Sequence, residues 1–496
     1  MRNWELAIAL DRALQAPLFL QIARAIEGEI RRGRLRPGDE LPGSRTLADR
    51  LAVHRNTVVA AYDELAAEGW TLREAARGTF VSRDLPAIAP RRFAPEESER
   101  TVMPERPGYE LGAPLELLAP VRPVPGAISL AGGMPDLRLA PVAELARAYR
   151  RALTGRRGRA LLDYGDPRGQ LRLRVALADM LSATRGLCAS ADELVVTRGS
   201  QMAIALAARA LLQPGDLVAV ESLGYRPAWA ALKEAGARLA PLPVDGRGLD
   251  VDALAALAAK KRVRAVYLSP HHHYPTTVTL APGRRLRLLA LARAHKMVVI
   301  EDDYDHEFHY EGRPILPLAS ADPSGMVLYV GTLSKLLAPG LRLGYVAAPR
   351  PVINRLAEVR ALVDRQGDHV LESAVASLIE EGELQRHARR TRRIYHARRD
   401  ALTLALERSF GKGERRRLVY TTPPGGIALW ARVRGGVDVE AWAARGLSAG
   451  VWFHTARRFA FDGRARPFVR LGFAASTESE IREAVRRMAA LLPPMC

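Results

Sequence analysis

Cysteine is almost missing from this chain: Cys188 and Cys496 are the only two in 496 residues. That excludes a disulfide framework and a metal site built on thiolates. Lysine is nearly as scarce, with six among 74 basic residues. No stretch approaches the roughly 18 apolar residues that a membrane helix needs. The opening MRNWELAIALDRALQAP is interrupted by Glu5 and Asp11, unlike a signal peptide. A soluble, cytoplasmic protein without membrane contact is expected. What is present is enough apolar material, 48% of residues, for a large core, and enough length for more than one domain.

The net charge of +20 invites a nucleic-acid partner, but its distribution weakens that inference. Residues 1–82 hold 12 Arg against 11 acidic residues, whereas residues 383–417 hold 12 Lys/Arg against 4. The preference for arginine over lysine fits genome composition better than function. Charge alone therefore does not identify a DNA binder.

Three regions follow from pattern. Residues 13–82 carry a compact helical pattern that ends in two short strands. Residues 83–125 contain nine prolines and the charged run EESER, which predicts an extended, semi-rigid linker. Residues 126–496 alternate short apolar strands with Ala/Leu/Arg-rich helices, as in ELVVT before SQMAIALAARALL and RAVYL before RRLRLLALARAH. Such alternation predicts a mostly parallel sheet covered on both faces.

In the front region Leu18, Ile22, Ala25, Ile26 and Ile30 recur at helical spacing. After the break RPGDELPG, the run SRTLADRLA predicts a short helix with Ser44 as its cap. The tight connection VHRN leads into TVVAAYDELAAEGW, whose inner face is Val58, Ala61, Tyr62 and Leu65. Helix, turn and second helix is the helix-turn-helix layout, whose second helix enters the major groove by its N-terminal residues. Those residues here are Arg55, Asn56 and Thr57, a guanidinium fork, an amide and a hydroxyl suited to phosphates and base edges. WTLRE and GTFVS predict a hairpin wing around AARG. Pattern alone also allows a small helical bundle with solvated charges. The run LPGSRTLADRLAVHRNTVVAAYDELAAEGW with RGTFV resembles the GntR-type winged helix-turn-helix. The resemblance implies DNA contacts from Arg45, Arg55, Asn56, Thr57 and the wing residues Arg77 and Gly78. Glu74, Ala75 and Ala76 stand where the usual wing is richer in glycine.

In the third region one of the rare lysines, Lys335, sits in GTLSKLLAPGLRLGY. Arginine stays charged at any accessible pH, whereas a lysine amine can lose its proton and attack a carbonyl. A lysine joined to pyridoxal phosphate needs a carboxylate for the pyridine nitrogen, a donor for the ring hydroxyl and a cradle for the phosphate. MVVIEDDYDHEF ends a strand in Asp302 and Tyr304, candidates for the first two roles; read alone, DDYD is a weak signal that fits an acidic loop of solvated charges better. VVTRGSQMAIAL passes from strand to helix through Gly199 and Ser200, which places backbone N–H groups at a helix N-terminus, a natural anion site. Thr332 and Ser334 offer hydroxyls, and Arg342 offers a fork for phosphate.

Taken in order, GSQ, DDY and GTLSK…GLRLGY resemble the fold-type-I aminotransferases from about Ile128 to Met488. The resemblance implies an α/β body, a mostly parallel sheet with helices on both faces plus a small C-terminal α+β part. It implies pyridoxal phosphate on Lys335, surrounded by Asp302, Tyr304, Ser200, Gln201, Tyr225, Thr332, Ser334, Arg342 and His272. Tyr164 in YGDPRGQLRLR would reach the phosphate in a partner subunit, and Arg470 in FVRLGF would grip an effector carboxylate. One piece departs. SPHHHYPTT stands where relatives show Ser-His-Gln-Tyr-Pro-Thr-Gly, so His271 and His273 replace the small and amide residues and Thr277 the glycine. Three successive histidines invite a metal, yet adjacent side chains diverge and no Cys or His partner is near in sequence, so none is expected. His272 is placed near the cofactor, and its neighbours reshape the effector pocket.

A winged helix, a proline-rich linker and an aminotransferase-like body resemble the MocR-type (GabR-like) regulators of the GntR superfamily over nearly the whole chain. That implies a head-to-tail homodimer that binds operator half-sites on double-stranded DNA and senses a small amino compound by aldimine exchange at Lys335. The alternative is a working pyridoxal-phosphate transaminase that carries a DNA-binding head. The two differ in proton transfer at Cα of the amino compound, which only the transaminase needs. A DNA binder with an empty body fits the intact constellation worst.

Overall fold

The computed structural model describes residues 8–12, 16–74, 77–86, 106–111, 125–156, 158–312, 314–413 and 416–492. Most of the expected linker, 83–125, lies outside the described residues, as do Ala75 and Ala76 of the expected wing. The chain folds into two compact units, Met1–Leu111 and Gly112–Cys496.

The first unit packs three helices, α1 (Leu18–Arg31), α2 (Ser44–Leu51) and α3 (Arg55–Ala67), against one hairpin. In α1 the buried face is Ile22, Ala23, Ile26 and Ile30; Ala23 replaces the expected Ala25, because 22, 23, 26 and 30 form the continuous stripe at this helical pitch. Val58, Ala61, Tyr62 and Leu65 of α3 complete the core, as their spacing predicted. Ser44 is not the cap of α2: Gly43 occupies that position, and Ser44 is the first helical residue. The caps at α3 differ too, since the His54 imidazole Nδ1 accepts the Asn56 N–H at 3.2 Å. The hairpin joins β1 (Thr71–Glu74) to β2 (Gly78–Val81) in antiparallel register, Thr71 facing Val81 and Glu74 facing Gly78.

The second unit is built on seven strands: β3 (Leu194–Thr197), β4 (Leu217–Glu221), β5 (Arg238–Leu242), β6 (Val263–Leu268), β7 (Val298–Asp303), β8 (Val327–Thr332) and β9 (Gly344–Ala347). Their order across the sheet is β3-β9-β8-β7-β6-β4-β5. All run parallel except β9, which is antiparallel to β8 and β3. Central strands such as VVIEDD are apolar on successive positions because both faces are covered. Ser200–Leu211, Arg226–Glu234 and Arg350–Val363 cover one face, and Val251–Lys260 and Pro282–His295 the other.

A smaller antiparallel sheet follows, in which Ala428–Val433 lies between Leu418–Val419 and Phe468–Gly472, and His454–Thr455 forms the far edge. The long helix Glu383–Phe410 and the last helix, Glu478–Ala490, pack with it around Trp442, whose side chain is fully buried. The Trp442 indole N–H donates to the Met488 carbonyl at 3.1 Å, so this large ring carries no unmet polar group into the core.

Candidate functional site

Strand alternation sorts the acidic run at the end of β7. Ile300 and Asp302 point to one face of the sheet, and Glu301 and Asp303 to the other. On the first face, β6 aligns Tyr267 with Ile300, and the Tyr267 hydroxyl donates to Asp302 Oδ2 at 2.6 Å. The other oxygen, Asp302 Oδ1, is buried without a partner. Burial, with the charge of Asp303 nearby, pushes the Asp302 carboxyl up to about 6, against the opposing pull of the Tyr267 hydroxyl and Lys335. On the second face Asp303 accepts from the Tyr329 hydroxyl at 2.8 Å. The run is therefore no loop of solvated charges: Asp302, Asp303 and Asp305 are all buried.

Lys335 follows β8 and is half-buried. Burial first, then the positive charges of Arg470 and Arg342, bring its amine down to about 8, while Asp305 and Asp302 pull the other way. Thr332 and Ser334 are buried beside it and brace the turn: the Thr332 hydroxyl accepts the Ser334 N–H at 3.1 Å. Tyr304 and Tyr225 both pack edge-on against Tyr274, with ring centroids 5.9 Å and 5.7 Å away. Burial and the charge of Asp302 push the Tyr225 hydroxyl up to about 12. Arg470 lies on the middle of Phe468–Gly472, is 1% exposed, meets the Tyr304 side chain, and has no acidic partner among the described residues. Its guanidinium sits 4.7 Å from the Tyr274 ring centroid. A buried, unpaired guanidinium is costly unless a ligand anion meets it.

At the other edge, Gly199 caps Ser200–Leu211 with φ 80° and ψ 172°, a conformation essentially restricted to glycine. A Cβ there would stand 3.3 Å from the Arg342 guanidinium, so backbone N–H groups and the arginine fork face the same space. Arg342 is anchored by donation to the Arg198 carbonyl at 2.7 Å. Ser200 and Gln201 open this helix, half-buried; Gln201 spends its amide N–H on the Pro227 carbonyl at 2.9 Å and leaves its oxygen unpaired.

Tyr164 is 77% exposed and packs under Arg365, outside the pocket of its own chain. His272 hydrogen-bonds Asp305 Oδ1 at 2.8 Å through Nδ1; burial works to lower its proton affinity, but the Asp305 carboxylate prevails and raises it. His273 points elsewhere, bonded to Thr276 and to the Leu223 carbonyl, and burial pulls it down to about 4. Sequence reasoning missed Tyr267, Tyr274 and Asp305. A signal for Tyr267 exists: it is the one polar-tipped residue on the inner face of an apolar strand.

In the first unit, Arg45, Arg55, Asn56, Arg77 and Gly78 are exposed and Thr57 is half-buried. Arg55 Nε reaches Ser44 Oγ at 3.4 Å, which ties the start of α3 to the start of α2. Arg77 pairs with Glu74 at 2.6 Å, an exposed pair worth no more than about 1 kcal/mol and easily surrendered to a phosphate.

Residues 18–81 match the model for bacterial regulatory proteins of the gntR family, and residues 127–488 match that for aminotransferase class I and II. A regulator of rhizopine catabolism from Rhizobium meliloti, MocR, is 29% identical over 97% of this chain and 95% of its own length. The HTH-type transcriptional regulator TauR of Rhodobacter capsulatus is 33% identical over 96% of this chain and 97% of its own. The chain belongs to the MocR-type transcription regulators. Its body is also similar to solved aminotransferases: a multiple-substrate enzyme from Thermococcus profundus superposes with a TM-score of 0.69 at 31% identity, covering 74% of this chain and 92% of that one.

This MocR-type regulator therefore couples a GntR-type DNA-binding head to a pyridoxal-phosphate body of aminotransferase fold. The residues of the pocket fit that cofactor. The orphaned Asp302 Oδ1 suits a protonated ring nitrogen, the Gly199 and Arg342 cradle suits a phosphate, and the lowered amine of Lys335 suits attack on an aldehyde. Among the described residues no helix is long and apolar enough to cross a membrane.

Proposed function

We propose that this regulator senses a small amino compound, one carrying a carboxylate, in the pocket between Lys335, Asp302 and Arg470. The observation that carries this reading is Arg470: a guanidinium 1% exposed, with no acidic partner among the described residues, beside the amine it helps to lower. When bound, the cofactor supplies an aldehyde that condenses with amines. The chain's own groups do the rest. Lys335 would hold the aldehyde in the absence of effector, and a competing amine would take its place. Asp302 holds a proton at the ring nitrogen, with Tyr267 fixing its orientation. Tyr304 would meet the ring hydroxyl, Tyr225 would stack on the ring, Ser200, Gln201 and Arg342 would hold the phosphate, and Arg470 would receive the effector's carboxylate. An amine lacking a carboxylate leaves Arg470 unpaired and binds more weakly.

The DNA side of the proposal assigns base and phosphate contacts to Arg45, Arg55, Asn56 and Thr57, with Arg77 and Gly78 at the wing. Residues 13–82 then form the DNA-binding domain, 83–125 the linker and 126–496 the effector and dimerisation domain, and each head of a head-to-tail homodimer reads one operator half-site. Support for the dimer comes from large apolar side chains left in water, including Val142 (67%), Leu162 (69%) and Leu362 (90%). Val142 also lines a cavity of about 770 Å³ together with Arg342, so a second subunit seated there could bring Tyr164 of the partner subunit to the phosphate. The effector acts by binding the two arrangements of the dimer with unequal affinity. A cytoplasmic location follows from its DNA target.

A titration tests the reading. Purified regulator is expected to change its visible absorption on addition of particular amino acids, and Arg470→Gln should weaken that response while leaving the cofactor bound. An unchanged response in Arg470→Gln would remove the carboxylate role. A working transaminase is favoured by the same lowered Lys335 amine, which also suits a base; steady turnover of amino donor with keto acid would decide for it.

A further inference from the structure

The loops after β6 and β7 do what the sequence did not foretell. His271 and His272 do not diverge: their rings lie 4.3 Å apart, and the second loop brings His306 to 4.7 Å and His309 to 6.3 Å from His271. One nitrogen each of His271, His272 and His309 falls within 4.8 Å of the others. Among the described residues neither nitrogen of His271 has a hydrogen-bond partner, His271 is only 5% exposed, and His309 is met only by the backbone of Glu311. A buried polar group left unpaired costs about 1–3 kcal/mol, so the unbonded His271 imidazole asks for a ligand.

The surroundings fit a cation. The Asp305 carboxylate holds His272 at Nδ1, the arrangement in which a carboxylate orients an imidazole and leaves Nε2 as the donor. The backbone of Gly425 bridges to His309 and packs closely against the Nε2 edge of His272, where a Cβ would come within 2.5 Å of that nitrogen, so only glycine fits beside the ring. Asp303 and Asp305 are both buried beside the imidazoles and offset a double positive charge. Asp303 Oδ2 lies 3.0 Å from His306 Nδ1, which assigns His306 to the surrounding shell. A cavity of about 410 Å³ reaches His306 and His309, with Arg185, Glu307, Arg389 and Arg392 also on its wall, and gives room for water beside His309.

We propose that His271, His272 and His309 form a binding site for one divalent transition-metal cation of the zinc, cobalt and nickel class, with Asp305 orienting His272 from behind. Three imidazoles and an outer carboxylate are the donor set this class prefers over magnesium or calcium. Metal–nitrogen bonds of about 2.0–2.1 Å require the nitrogens to draw together to about 3.4 Å. His309, the least buried of the three, supplies that movement by ring rotation. The site is built by residues apart from Lys335 and Arg470, and its test reads metal uptake rather than amine sensing.

The test uses tag-free, cofactor-loaded full-length regulator titrated with Co²⁺, followed by displacement with Zn²⁺. One equivalent per chain is expected, seen as visible d–d bands that Zn²⁺ abolishes. His309→Gln and His271→Ser should each lose these bands with cofactor absorbance retained, Asp305→Asn should weaken uptake about 10–100-fold, and His295→Ala, at an exposed histidine, should leave it intact. Wild-type protein without saturable one-to-one uptake, or full uptake persisting in both His309→Gln and His271→Ser, would overturn the proposal.

Discussion

At the scale of single residues, the chemistry turns on where protons sit. Lys335 has its amine brought down to about 8 by burial and by Arg470. The folded state therefore binds fewer protons than the unfolded chain between that value and the ordinary lysine range. Stability rises with pH wherever the unfolded state binds more protons, so cofactor-free protein should gain stability as pH climbs through 8, and Lys335→Met should flatten that rise in denaturant titrations. The rate at which cofactor-free protein captures pyridoxal phosphate should climb with a midpoint near the same pH. Lys335→Ala should leave no borohydride-reducible attachment by mass spectrometry. Asp302→Asn removes the charge facing the ring nitrogen; a charge-assisted hydrogen bond contributes about 1.5–3 kcal/mol, so cofactor retention should fall roughly ten- to hundredfold, read by equilibrium dialysis.

At the scale of elements, two helix starts carry the function. The first begins at Gly199, whose φ of 80° and ψ of 172° other residues avoid. Gly199→Ala should cost about 1–3 kcal/mol of stability and displace Arg342, so cofactor release should quicken while the fold persists. The second begins at Arg55. A direct base contact is worth about 1–3 kcal/mol, so Arg55→Ala with Asn56→Ala should abolish specific footprints and leave cofactor absorbance unchanged. Much of this layout was legible in the chain. Glycine before a helix, a carboxylate after an apolar run and helical spacing in α1 and α3 are local signals, each set by the backbone's own geometry. Ser44 shows where local reasoning slips by one residue: its hydroxyl suited a cap, but the chain enters α2 one residue earlier, and the hydroxyl meets Arg55 instead.

At the scale of the molecule, the two compact units carry separate cores. Ile26 is fully buried in the smaller one. Ile26→Ala should remove about 2–5 kcal/mol from the head, which calorimetry should register as a lowered first transition with the cofactor-bearing transition unmoved. A single merged transition shifting as a whole would show that the units unfold together.

By itself the sequence determined the element types, the order of the motifs and the identity of the lysine, because these depend on spacing along one chain. Only the tertiary structure decided which side chains meet. It set Tyr267 against Asp302 through strand register, left Arg470 buried without an acidic partner among the described residues, and drew His271, His272 and His309 together from two separate loops. Such meetings depend on how parallel strands align across the sheet, and no short window of sequence contains that information.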